Sequence, residues 1–160
     1  MAREGAKYTA YNGSKLEYKE SSGSSFTRIY GLRQTPDVGG TPNKIDTTDL
    51  DNLKFETAIN GLQPAQEFDF EFNMEDPEAT SNIYLVSQME DSGKVYSFKY
   101  TLANGITIEF DSDVRTTILG GSTGDLIGFQ MHLSPISEPV VTVSPSEEGL
   151  SLNEEENTTK

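Results

Sequence analysis

From Gln66 to Met74 the chain alternates without a break, with Phe68, Phe70, Phe72 and Met74 set against Glu67, Asp69, Glu71 and Asn73. Successive side chains of a strand point to opposite faces, so this run predicts a strand with one buried and one solvated face. A helix would scatter the same phenylalanines around its circumference. The pattern recurs. Val95–Thr101 puts Tyr96, Phe98 and Tyr100 on one face, and Ile106–Asp111 does the same with Ile106, Ile108 and Phe110. Between them lies Ala103-Asn104-Gly105, and Asn-Gly between alternating runs predicts a hairpin.

Further strands are predicted over Lys15–Lys19, Lys44–Thr48, Leu53–Ile59, Arg115–Leu119 and Leu126–Leu133. Another is predicted over Phe26–Arg33, with Phe26, Arg28, Tyr30 and Leu32 sharing a face. Ser21–Ser25, Asn60-Gly61 and Gly120–Gly124 read as turns or hairpin loops. One helix is predicted. Asp76 would be its N-cap, Pro77 its first residue and Glu78 an acid in its first turn. It would run to about Glu90 with Ile83, Val86, Tyr84 and Met89 on its apolar side, and Ser92-Gly93 would end it. Strands, one helix and more strands give a mainly β fold. The expected form is an antiparallel β-sandwich or barrel with one flanking α-helix, a long β–β loop and extended terminal arms. The body would cover residues 1–138, including an N-terminal arm over 1–14 and the long loop over 35–52. An acidic C-terminal arm would cover 139–160, where Pro139, Pro145 and the run Glu154-Glu155-Glu156 replace the alternating pattern.

Charge and composition exclude several classes. The formal charge is −14. Gripping nucleic acid requires Lys and Arg to neutralise phosphates, and an anionic membrane surface makes the same demand. Residues 145–160 hold five Glu and one Lys, a net of −4 that leaves −10 for the body. There is no cysteine, hence no disulfide and no thiolate metal site. No stretch approaches the roughly 20 apolar residues of a membrane span. Residues 1–11 lack the apolar centre of a signal peptide, so no export by that route is expected.

The residues that could carry chemistry are few. His132 is the only histidine, on the opposite face from Ile127, Phe129, Met131 and Leu133, and no nucleophile motif accompanies it. Asp46, Asp49 and Asp51 cluster in the long loop, but their spacing is not that of an EF-hand, and turn-forming Asp accounts for them. Gly120–Gly124 lacks the Gly-Lys-Ser/Thr and the strand-to-helix context of a phosphate cradle. Glu67, Asp69 and Glu71 form one acidic row and Glu109, Asp111 and Asp113 a second; period two marks a wet sheet face better than an acid–base pair. No catalytic residue, metal ligand or cofactor is expected.

The segment Thr35-Pro36-Asp37-Val38-Gly39-Gly40-Thr41-Pro42-Asn43-Lys44-Ile45-Asp46-Thr47-Thr48-Asp49-Leu50-Asp51-Asn52 resembles the TPD-GG-P--I--T-L stretch of siphophage tail tube (major tail) proteins. As in that family, a strand, a Gly-Leu (Gly61-Leu62), an alternating aromatic strand, a single helix and a late hairpin follow. The resemblance spans roughly residues 25–135.

It implies a structural virion protein of the viral tail rather than an enzyme. Six subunits would form a ring, and rings would stack into a hollow tube around a tape-measure protein. Tail terminator and distal tail proteins would meet its ends. Phage DNA would pass without specific binding, and no membrane would be a partner. Assembly would take place in the bacterial host cytoplasm. Thr35–Leu50 would join subunits or rings. Lys99, Thr107, Glu109 and Asp111 would face the lumen, with Glu67, Asp69 and Glu71 as second candidates. An acidic lumen repels phosphate. A tail terminator, a type VI tube protein and a carbohydrate-binding β-sandwich using Tyr96 and Tyr100 are the alternatives. Val140-Val141-Thr142-Val143-Ser144-Pro145 and Leu150-Ser151-Leu152 also resemble the opening of the bacterial Ig-like domain that some family members append.

Overall fold

The computed structural model describes residues 8–51 and 55–145. The alternating aromatics build its core. Phe68, Phe70 and Phe72 are buried on one side of β6 (Phe68–Asn73), and Tyr96, Phe98 and Tyr100 on one side of β7 (Tyr96–Thr101). Phe129, Met131 and Leu133 do the same on β9 (Gly128–Pro135). β8 (Thr107–Ile118) runs unbroken where two separate strands were expected. Ser112 and Asp113 read as a break because they are polar, yet Ser112 keeps the inward parity of Ile108, Phe110 and Val114. It satisfies its buried hydroxyl by donating to the Asp113 carbonyl at 2.6 Å.

These strands form one antiparallel sheet with β1 (Lys15–Glu20), β2 (Thr27–Ile29), β3 (Leu32–Gln34) and β10 (Val140–Thr142). Its order is β2-β1-β7-β8-β9-β6-β3, with β10 beside β8. The sheet curls on itself. Phe70 and Tyr100 meet edge to face at 5.3 Å between centroids, although β9 and β8 stand between their strands. Phe68 reaches Phe110 of β8 at 5.0 Å. Of the two expected forms the molecule takes the barrel-like one, a single sheet that is not closed. Its edge strands β2 and β3 are separated only by Tyr30 and Gly31, so one bent segment supplies both edges.

That bend corrects the expected strand over Phe26–Arg33. Gly31 adopts φ 90°, and the parity resets there. Ile29 is buried, whereas Arg28 and Tyr30 are exposed. Beyond the bend Leu32 packs against the core.

The helix α1 (Asn82–Ser92) starts later than Asp76-Pro77 suggested. Ser81 is its N-cap: the Ser81 hydroxyl accepts from the Tyr84 and Glu78 N–H groups and donates to the Glu78 carbonyl. The start is fixed by tertiary contact. Asn82, 2 % exposed, must stand at the first helical position to reach the sheet. Its Nδ2 donates to the carbonyls of Tyr30 (2.9 Å) and Asn73 (2.8 Å), and its Oδ1 accepts from Glu75 N–H (3.0 Å). Val86 and Met89 are buried in the common core, and Gly93 ends the helix at φ 63° as expected. No described helix is long and apolar enough to cross a membrane. Ser81→Ala should cost about 1 kcal/mol, the usual worth of a cap. A urea titration followed by circular dichroism measures this, and an unchanged midpoint would refute the capping role.

The strand expected within the long loop forms over Lys44–Asp46 and belongs to a second, two-stranded sheet. β4 (Lys44–Asp46) pairs with β5 (Ala58–Asn60), placing Ile45 opposite Ile59. Bonds from Thr47 N–H to Thr57 carbonyl, Gly61 N–H to Asn43 carbonyl and Asn43 N–H to Leu62 carbonyl extend the ribbon both ways. Of the strand expected over Leu53–Ile59, residues 55–57 are not strand and Ala58 and Ile59 belong to the ribbon, and Asn60-Gly61 continues a ladder instead of turning. Leu53 and Asn52 lie outside the described residues, as do residues 146–160 with the acidic run and Leu150-Ser151-Leu152.

Candidate assembly surfaces

The ribbon is the first surface. Its root is tied to the body: Gln66 Nε2 donates to the Asp37 carbonyl at 2.8 Å, Gly39 N–H donates to Gln66 Oε1 at 3.0 Å, and Val38 packs against the core. Thr35 and Pro36 lead into this root, and Gly40, Thr41, Pro42 and Asn43 lead out of it into the ribbon. Beyond, the chain leaves the core, and every residue of β4 and β5 is exposed. The exposed set includes Ile45 (51 %), Ile59 (56 %), Phe55 (79 %) and Leu50 (98 %). An isolated two-stranded hairpin is marginal in water, and its exposed apolar groups gain most when another surface covers them.

Asp46 and Asp49 each accept the backbone N–H two residues on, from Thr48 and Asp51, which are Asx turns. Hydrogen bonding from the Thr48 side chain and backbone holds the Asp46 carboxyl below the usual carboxylate range. Thr47 and Thr48 both bond Thr57 across the ribbon. Lys44 Nζ donates to Asn60 Oδ1. The root borders an open apolar groove shared with Ile136, Pro139 and Val141.

The second surface is the wet face of the curled sheet. Strand register brings all seven expected lumen residues to this one face. Lys99 pairs with Glu109 on one side and Glu17 on the other. Asp111 accepts the Ser97 hydroxyl at 2.6 Å, and Thr107 stands between Thr101 and Thr142. The acidic row on β6 does not stand alone. Glu67 is bridged by Arg115 at 2.8 Å, Asp69 by His132 Nδ1 at 2.6 Å and Glu71 by Arg33 at 3.5 Å. Arg33 and His132 come from the two neighbours of β6, β3 and β9, and Arg115 reaches across β9 from β8. Tyr96 and Tyr100, the carbohydrate-binding candidates, are buried.

His132 has a full set of partners. Its Nε2 lies 2.8 Å from Thr117 Oγ1, so Thr117, His132 and Asp69 follow each other in the order of a hydrolytic triad. Triad chemistry also needs donors converging on an oxyanion and a cleft above the nucleophile. Thr117 stands on an open strand face, outside the polar cleft that Glu67, Asp69 and Glu71 share with Gln34–Asp37. Glu67, Asp69 and His132 also bring ligand atoms within 4.8 Å of one another. Arg115 occupies Glu67, and both His132 nitrogens are engaged. The arrangement is an ion-paired brace across β8, β9 and β6.

Sequence reasoning missed Asn82, Gly31 and the bases Lys15, Lys19, Arg28, Arg33 and Arg115. The outward parity of Lys15, Glu17 and Lys19 was readable; their alignment with Arg28 and Lys99 required the register. It also took Val140–Thr142 for arm, where β10 extends the sheet by pairing with Thr107–Glu109.

No protein-family model matches the sequence, and no curated protein matches it. Solved structures do. A chain in the tail of an empty gene transfer agent particle, refined with C6 symmetry, is similar over 84 % of this chain and 100 % of its own, with 16 % identity and a TM-score of 0.63. A chain of the anti-feeding prophage baseplate, 6-fold symmetrised, covers 86 % and 97 % with 7 % identity and a TM-score of 0.65. A chain in the sheath/tube terminator of an extracellular contractile injection system covers 86 % and 99 % with 9 % identity and a TM-score of 0.59. At these identities the likeness establishes the fold: this chain has the fold of chains found in tails, baseplates and terminators of phage-like particles.

Proposed function

We propose that this chain is a tail tube subunit of the long-tailed phage type, six copies closing a ring and rings stacking into a hollow tube. The tube encloses a tape-measure protein, meets terminator and distal tail proteins at its ends, and conducts DNA during ejection. It belongs to the virion tail and assembles in the host cytoplasm. The observation that carries the reading is the ribbon: Ile45, Ile59, Leu50 and Phe55 are held out in water on a hairpin that adds nothing to the core. The fold of chains from 6-fold symmetric particles supports the ring. Lys99, Thr107, Glu109 and Asp111 line the lumen in this reading. Glu109 and Asp111 then present carboxylates to passing DNA, and phosphate finds little to bind.

Negative-stain microscopy of the purified protein should show tubes with a central channel. Replacing residues 43–62 by a short Gly-Ser linker should abolish tubes while far-ultraviolet circular dichroism stays that of a folded β protein. Tubes of ordinary length from the ribbonless chain would overturn the ribbon's role. The terminator-like relatives favour one second reading, a ring that ends a tube. Single rings that never stack would select it.

A further inference from the structure

The wet face carries its charge in two halves. On β2, β1 and β7 it presents Lys15, Lys19, Arg28 and Lys99 against one carboxylate, Glu17. Lys15 bridges Glu17 at 3.2 Å, and the other three bases lie against aromatic rings. Lys19 Nζ lies 4.8 Å and Lys99 Nζ 5.6 Å from the Phe26 centroid, and the Arg28 guanidinium lies 4.8 Å from that of Tyr30. A ring contact attracts a cation without cancelling its charge. On β8, β9 and β6 the face presents Asp111, Asp113, Glu67, Asp69 and Glu71, where Arg115, His132 and Arg33 answer only part of the acid. β1 and β9 lie on opposite flanks of the curled sheet: β7 and β8 separate them one way, and β2–β3 with β6 the other.

We infer that the basic flank of one copy docks on the acidic flank of the next, and that this charge-complementary contact closes the ring. The inference rests on the ring reading above and names the surfaces that meet. A ring needs a heterologous contact, one patch against a different patch, and one molecule here carries both members of such a pair. Like flanks repel, so the copies also have a fixed polarity around the ring. The occupant is a second copy and not nucleic acid, because a chain of charge −14 repels phosphate as a whole. Between the flanks Thr107 and Glu109 are left to face inward, with Lys99 and Asp111 at the borders of that strip.

Two variants test this. Lys19→Glu with Arg28→Glu makes both flanks acidic; Glu67→Lys with Asp69→Lys makes both basic. Each alone should stay monomeric by light scattering, with assembly reduced at least tenfold. An equal mixture should recover rings, because a ring of even number accommodates strict alternation. Circular dichroism of each variant reports folding separately, and recovery on mixing excludes misfolding as the cause. Assembly of either variant alone at the wild-type level overturns the proposal. Failure of the mixture to recover rings overturns it as well. Wild-type protein that never forms rings would instead refute the ring reading itself.

Discussion

Asn82→Leu should lower the unfolding free energy by about 3–4 kcal/mol, because three backbone groups lose their partner while the side-chain volume is kept. The carbonyls of Tyr30 and Asn73 lose a donor, and the Glu75 N–H loses its acceptor. The residue is 2 % exposed, so water cannot replace these bonds without opening the helix start. In a chain of this size the loss corresponds to a fall of roughly 10 °C in Tm. Asn82→Asp should be no milder. It keeps an acceptor for Glu75 but sets a carboxylate against two carbonyl oxygens. Chemical denaturation with an unchanged m value gives the test. A loss below about 1 kcal/mol would mean that these bonds are not a joint between helix and sheet.

The reason for so large an effect is topological. The sheet is not closed by a ladder between β2 and β3; both edges belong to one segment bent at Tyr30-Gly31. Asn82 is the side chain that ties this bend to the end of β6 and to the helix. Loosening it frees an edge strand on each side, and free edges invite pairing with other copies. Partial unfolding here should therefore show itself as irregular aggregation, distinct from loss of ordered rings.

How far the sequence spoke depends on the kind of signal each element used. Phe68–Phe72 and Tyr96–Tyr100 were legible because period two states both strand and face, and Asn104-Gly105 fixed the hairpin between β7 and β8. Ser112 misled because a buried polar residue with a local partner looks like a break. Asp76-Pro77 carried a good local start signal for a helix, and the tertiary bonds of Asn82 overrode it. Asp46 and Asp49 were correctly read as turn formers, but nothing local said that Lys44–Asp46 would find Ala58–Asn60 and stand away from the body. The row Glu67, Asp69, Glu71 was visible as an acidic row. Its partnering with Arg115, His132 and Arg33 depends on register across four strands, which one sequence does not specify.

Gly31→Ala should cost about 3 kcal/mol, part of it backbone strain at φ 90° and part displacement of the joint. A Cβ there would lie 2.8 Å from the Asn73 carbonyl oxygen and 2.8 Å from Asn82 Nδ2, closer than van der Waals contact allows. One obstacle is backbone in the ladder of β6 and the other is the stapling side chain, so neither yields without breaking a bond. The two sites share that atom, so their effects should not add. In an Asn82→Ala background the Nδ2 obstacle is gone, and Gly31→Ala should cost about 1 kcal/mol less than in the parent chain, a coupling within the range seen for residues in contact. The strain at positive φ remains in both backgrounds, so the coupling cannot absorb the whole effect. A double-mutant cycle by urea denaturation measures it. Strict additivity would show that the Asn73 carbonyl alone excludes the Cβ, and that Gly31 is required by the bend and not by the staple.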